Sequence, residues 1–229
     1  AMVFPWSLVR SILWHILSCR IRGRRPTMVL MLEPLFACNL RCEGCGRIRE
    51  FADVLNQRLS VPQCLAAAEE CGAPVVSICG GEPLLYSELP ALVAGLLAQG
   101  RHLYLCTNGL LVPRWLDRLP RSPRLTWNIH LDGMEATHDA LTGRPGTFRE
   151  VADNIRKLKA AGYRLTTNTT IYRQTDTHEI LVLLDFLSEL AVDGMLLSPA
   201  YPYPVVNGRA VVNGGAGIPP GAGRDASGS

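Results

Sequence analysis

From Thr27 onward, short apolar runs alternate with stretches in which apolar residues recur every three or four positions. The apolar runs predict strands over residues 28–34, 74–79, 102–106, 124–131, 164–171 and 194–199. The stretches between them predict helices near 62–71, 87–99, 112–119, 147–161 and 178–190. Several strand segments are almost continuously apolar, the pattern of a parallel sheet covered on both faces. Strands alternating with helices in this way make a repeated βα architecture, which is either an open doubly wound sheet or part of a barrel. Polar residues gather where strands end: Glu82 after the second, Asn108 after the third, His130 and Asp132 at the fourth. In parallel βα folds that C-terminal edge is where ligands bind. Cys38, Cys42 and Cys45 follow the first strand and reach the same edge.

The two ends of the chain break this pattern. "VFPWSLVRSILWHIL" is apolar but short, and Arg10 and His15 interrupt it, so it does not span a bilayer. Four arginines follow in "RIRGRRP", after the apolar stretch, whereas a secretory signal carries its positive charge before it. Residues 1–26 therefore read either as an amphipathic helix in the headgroup region of an anionic membrane or as a helix packed on the domain. Residues 205–229 are rich in glycine and proline without apolar periodicity and are expected to be a disordered tail. A core domain over 27–204 lies between.

Composition narrows the function classes. With 229 residues and 48% hydrophobic residues the chain can bury one substantial core. A net charge of +3, with no basic face interleaved with aromatics, gives no reason to expect a nucleic-acid partner. Eight cysteines suggest a secreted disulfide scaffold until their setting is considered. Cys64 and Cys71 lie on a predicted helix, and Cys79 and Cys106 end apolar strands, as reduced, mostly buried thiols do. The expected location is the cytoplasm, with peripheral contact at the inner face of the membrane.

The chemistry concentrates in "FACNLRCEGCGR", residues 36–47, whose spacing is Cys-x3-Cys-x2-Cys. A zinc knuckle or a ferredoxin-type cluster takes four protein ligands, and three leave one place open. Unrelated thiols, or a zinc ion completed by a distant histidine, are alternatives. Three further motifs follow in order: "GGEP" (80–83), "TNG" (107–109) and "HLDG" (130–133). Asn108-Gly109 also reads as an ordinary turn and Asp132 as a helix N-cap.

With these four motifs the chain resembles the radical S-adenosylmethionine (SAM) superfamily. The resemblance implies a partial (β/α)6 TIM-like barrel in which Cys38, Cys42 and Cys45 hold three irons of a 4Fe-4S cluster and the fourth iron binds SAM. It implies a glycine-rich turn at Gly80 and Gly81 whose Glu82 meets the SAM amino group, with Asn108, His130 and Asn168 as further SAM contacts. His130 stands where many relatives have serine. More finely, "VLMLEPLFACNLRCEGCGRI", "ECGAPVVSICGGEPLL", "YLCTNGLLV" and "VDGMLLSPAY" resemble the adenosylhopene transferases of hopanoid biosynthesis. That resemblance implies an enzyme adding a 5′-deoxyadenosyl radical to the terminal alkene of a hopene, with a flavodoxin or ferredoxin as external electron donor. The carbon radical left by addition needs a hydrogen atom, and Cys106 is the expected donor, with Cys79 as rival; the alternative for Cys106 is a small buried hydrophobe. The likeness fades after Tyr201, as in a truncated chain, so part of the substrate pocket is expected to be missing.

Overall fold

In the computed structural model, which describes residues 5–43, 45 and 52–200, six parallel strands form one sheet. They are β1 (Val29–Leu32), β2 (Val75–Ile78), β3 (His102–Thr107), β4 (Leu125–His130), β5 (Arg164–Ile171) and β6 (Gly194–Pro199), arranged in chain order. A doubly wound sheet reverses its strand order partway across. An unbroken order curls in one direction, and the result here is the expected partial barrel. The helices are α1 (Trp6–Ile21), α2 (Val61–Cys71), α3 (Leu89–Ala98), α4 (Val112–Trp115), α5 (Glu135–Thr142), α6 (Thr147–Ala160) and α7 (Thr177–Glu189).

Strand alternation divides the sheet into unlike faces. Val76, Ile78, Leu103, Leu105, Leu125, Trp127, Ile129 and Leu165 are buried in the main core with Leu92, Leu96, Ile155, Leu158 and Leu183 of the helices. The intervening residues, Ser77, Cys106, Thr126, Asn128, His130, Thr166 and Asn168, point to the other face and are polar or weakly polar. The expectation of apolar cover on both faces therefore holds only for the outer one.

Three elements differ from the sequence expectation. The helix predicted over 112–119 ends at Trp115: Arg118 N and Leu119 N both donate to Trp115 O, and the Tyr163 hydroxyl takes the carbonyls of Leu116 and Leu119. Helix α5 was not expected, because "EATHDALT" has no apolar stripe; its C-terminal end is fixed from outside, by Glu43 N donating to Leu141 O at 2.7 Å. Asp132 is not a helix N-cap, since Met134 holds that place without a side-chain bond. All eight cysteines are free thiols, but only Cys64 is fully buried. The tail expected over 205–229, and Tyr201, lie outside the described residues.

Helix α1 packs Leu8 inward, and Ser11 Oγ lies 3.4 Å from Nε2 of His102, the first residue of β3. It thus covers the N-terminal end of the strands, the floor of the barrel. The helix is not sharply amphipathic, because its outward side carries Trp6, Leu13, Trp14, Leu17 and Ile21, all exposed. Among the described residues no helix is long and apolar enough to cross a membrane.

Candidate active site

The site is built where two loops cross at the C-terminal edge of β1 and β2. Gly81 N donates to Leu35 O and Glu82 N to Ala37 O, extending the strand pairing into the segment that carries Cys38. A Cβ at Gly80 would lie 2.4 Å from Leu35 O, and one at Gly81 would lie 2.1 Å from Ala37 O. Gly80 also has φ of 112°, a conformation that side chains resist. The glycine pair thus serves first to let the cysteine loop lie directly on the turn. Leu40 is buried behind Cys38 and its N–H donates to the Cys38 sulfur at 3.4 Å. Gly44 and Gly46, and the loop from Gly46 to Phe51, lie outside the described residues.

Glu82 is 1% exposed, and its carboxylate is held on both sides. Oε1 accepts from Leu84 N at 2.9 Å and Thr107 Oγ1 at 2.7 Å, while Oε2 accepts from Asn108 N at 2.8 Å. Burial pushes its pKa up to about 7, and the three donors only moderate that rise. The carboxylate therefore ties the turn after β2 to the turn after β3 and keeps accepting capacity on Oε2. Asn108 in turn reaches across to Asn39 Oδ1 at 2.8 Å and to the Cys38 sulfur at 3.9 Å. Asn108-Gly109 is also the turn its sequence suggested, with Leu110 N donating to Asn108 Oδ1.

These residues line a cavity of about 430 Å³, within the range of small-molecule and cofactor sites. Cys38, Cys42 and Cys45 stand on one wall, Gly80, Gly81, Glu82 and Asn108 on the next, and Cys106, His130 and Asn168 on the barrel side. Every candidate from the sequence is thus in one place, Cys79 included. The sequence reading did not single out Asn128, Tyr172 or Ser198, which share the wall. Asn128 Nδ2 donates to the Cys106 sulfur at 3.5 Å, and Ser77 Oγ lies 3.2 Å from it. Alternation along "LTWNIH" was the available signal, since it puts Asn128 on the side of His130. Tyr172 carried none beyond following a strand; burial, then the charges of Asp132, Cys42 and Cys45, raise its pKa.

At the end of β4, His130 Nε2 faces Asp132 Oδ2 at 2.5 Å, and its Nδ1 lies 3.4 Å from the Asn168 amide. Burial works against a charged ring, but the Asp132 carboxylate overcomes it, so the His130 pKa is raised. Asp132 shifts the other way: burial raises its pKa, and His130 together with Thr170 N outweighs burial and lowers it. His138, from α5, accepts from Asp132 N and is pushed down to about 4, chiefly by burial. A charged His130–Asp132 pair backed by a neutral imidazole is the arrangement these shifts describe. It is a fixed polar corner on which a ligand carboxylate or ribose can rest.

The cysteine wall has the opposite electrostatics. Burial pushes Cys38 up to about 11, with Glu82 and Cys45 adding to the rise. Cys42 is pushed up to about 12 by burial, then by Cys45 and Cys38. Thiols this close, and this poorly solvated, become thiolates only with a cation among them. Among the described residues, no group of three or more His, Cys, Asp and Glu side chains is arranged to hold a single metal ion. Three thiols around one cavity wall, beside glycines that exclude any Cβ, suit a larger cluster with one open position.

Comparison with known proteins agrees with this chemistry. The family model described as the radical SAM superfamily matches residues 32–187. The chain is 30% identical over 190 residues to pre-heme d1 synthase of Dinoroseobacter shibae, covering 81% of this chain and 46% of that protein. It is 32% identical over 175 residues to GTP 3′,8-cyclase of Xanthomonas axonopodis pv. citri, covering 72% and 52%. The chain thus spans about half the length of these curated relatives. Its fold matches Streptococcus suis SuiB, solved with S-adenosylmethionine bound, with a TM-score of 0.66 at 19% identity, over 88% of this chain and 46% of that one. With its family match covering more than half of its length, the chain belongs to the radical SAM superfamily.

Proposed function

We propose that the protein is a radical SAM adenosyltransferase that joins the 5′-deoxyadenosyl group to the terminal alkene of a hopene-like isoprenoid. The observation that carries the reading is the shared cavity, which brings the three cysteines, the Glu82 turn and the Cys106 thiol to one space. When bound, a 4Fe-4S cluster and SAM supply the adenosyl radical there. Cys38, Cys42 and Cys45 would hold the cluster, leaving one iron for SAM. Glu82 lines the cavity and its Oε2 keeps a lone pair for the SAM ammonium, while Asn108, His130 and Asn168 bound the space for the rest of the molecule. Electrons come from an external donor of the flavodoxin or ferredoxin class.

The family branch suggested by segments such as "VDGMLLSPAY" supplies the substrate class. Addition to the alkene leaves a radical on a tertiary carbon of the substrate. Cys106 gives that carbon a hydrogen atom: its S–H bond breaks, a C–H bond forms, and the thiyl radical regains an electron from the donor and a proton from solvent. Asn128 and Ser77 hold the sulfur on the inner wall while it does so. Cys106→Ala is expected to cleave SAM and form the carbon–carbon bond, yet to lose the wild-type rate and configuration of the saturated adduct, because the substrate radical must take its hydrogen from another donor. A saturated adduct at the wild-type rate and configuration, measured by mass spectrometry and NMR, would make Cys106 a packing residue.

A second reading, a radical SAM enzyme of different and more polar substrate, is favoured by the polar inner wall at Asn128, Asn168 and Ser198. Incubation with SAM, reductant and a hopene under anaerobic conditions separates the two. An adenosyl–hopane product supports the first; 5′-deoxyadenosine released without adduct supports the second.

The Glu82 carboxyl gives a pH signature common to both. Its pKa of about 7 means that at lower pH it must lose a proton before it can meet an ammonium. SAM affinity is expected to rise about tenfold per pH unit up to about 7 and then level off. Calorimetric titration between pH 5.5 and 8 tests this, and a flat profile would remove Glu82 from the ammonium site.

A further inference from the structure

Helix α1 has two faces that do different things. Its inward side lays Leu8 and Ser11 against the barrel floor. Its outward side exposes Trp6 by 86%, Trp14 by 70% and Ile21 by 77%, together with Leu13 and Leu17. Trp6, Arg10, Leu13, Trp14 and Leu17 line one shallow groove along this side. A contiguous exposed apolar strip of this kind marks a surface that meets a partner or a membrane.

The charge around the strip selects the partner. Arg10, Arg20, Arg22, Arg24 and Arg25 are all exposed, and no aspartate or glutamate occurs before Glu33. The helix and the segment that follows it therefore present tryptophan, leucine and arginine, with no acidic residue of their own before Glu33. Tryptophan prefers the bilayer interface and arginine the anionic headgroups, so the two chemistries coincide on a lipid surface. Strand β6 runs parallel to the others, so its end, Pro199, lies at the opposite edge of the sheet from the floor.

We propose that the outward face of α1 docks the protein, floor first, on the surface of an anionic bilayer. The cavity then opens away from the membrane, at the other end of the strands. Docking holds the enzyme at the surface in a fixed orientation, and a lipid-soluble substrate must leave the bilayer plane to reach the site. This inference rests on α1 alone and not on the reaction assigned to the cavity.

The test is partition of the full chain onto vesicles of neutral phosphatidylcholine, and onto vesicles with about 30% phosphatidylglycerol, in low and high salt. The expected result is binding at least about tenfold tighter to the anionic vesicles, weakened about tenfold when salt shortens the screening length to a few ångströms. The doubly substituted Trp6→Ser, Trp14→Ser chain should lose about tenfold more, with SAM cleavage and melting temperature unchanged, since both side chains are exposed. Brominated lipid should quench part of the native tryptophan emission and none in that variant, whose remaining Trp115 and Trp127 are buried. Absence of anionic preference, or binding unmoved by the double substitution, overturns the proposal. So does a stable dimer that the same substitution converts to monomer while vesicle binding is absent, because the strip would then be covered by a second copy.

Discussion

Cys42→Ala is expected to reduce SAM cleavage to the background rate and to lower the iron content of the reconstituted protein, while the apoprotein melts within a few degrees of wild type. Cys42 packs partly buried against the core, so losing its sulfur costs about 1 kcal/mol of packing. Its chemical role has no substitute among the described residues of the loop. The thiol is pushed up to about 12 by burial and by its two cysteine neighbours, so without a metal it stays protonated. Each cysteine must release a proton as iron binds, and reconstitution should therefore improve as pH rises through the neutral range. Iron analysis, 5′-deoxyadenosine quantification and circular dichroism measure the three outcomes. Cleavage retained in the variant would refute the cluster assignment.

Gly81→Ala should damage the same centre without touching a ligand. The added Cβ would stand 2.1 Å from Ala37 O and 2.3 Å from Phe36 O, both backbone atoms that no rotamer change can move aside. Relief requires the segment from Leu35 to Cys38 to shift, which breaks the bonds from Gly81 N to Leu35 O and from Glu82 N to Ala37 O. Overpacking of this kind costs about 3 kcal/mol or more, or roughly 6–12 °C in melting temperature for a domain of this size. Displacement of Cys38 should lower cluster loading in whatever fraction folds. A variant with wild-type melting and full iron content would show that the crossing of the two loops is looser than the structure has it.

The elements with strong periodicity were legible from the chain alone, and the reasons for the exceptions are local. All six strands fell where apolar runs placed them, because burial of their outer face is written residue by residue. Helix α5 has no such record: the bond that ties its end to the cysteine loop is tertiary, and the one from Asp132 N to His138 Nδ1 is a side-chain contact that no periodicity announces. The glycine pair was read for its place in a motif, while the crossing backbone that demands it joins residues more than forty apart in sequence. Asn128 was hidden inside an apolar-looking strand although its alternation was visible. The motif marks Glu82 as a ligand-facing acid, whereas its tying of two turns together follows only from the donors that surround it.

The placement of α1 at the floor has a consequence for how substitutions combine. β3 runs from His102, which meets the helix, to Thr107 beside Glu82, a span of roughly 17 Å at about 3.3 Å per residue. Sites separated by more than about 10 Å with no shared neighbours contribute to free energy additively. Changes to the outward face of α1 and changes around the cavity are therefore energetically independent. The barrel wall between them isolates the two ends thermodynamically, so selection or engineering can alter the exposed face of the helix without disturbing the cavity, and the reverse.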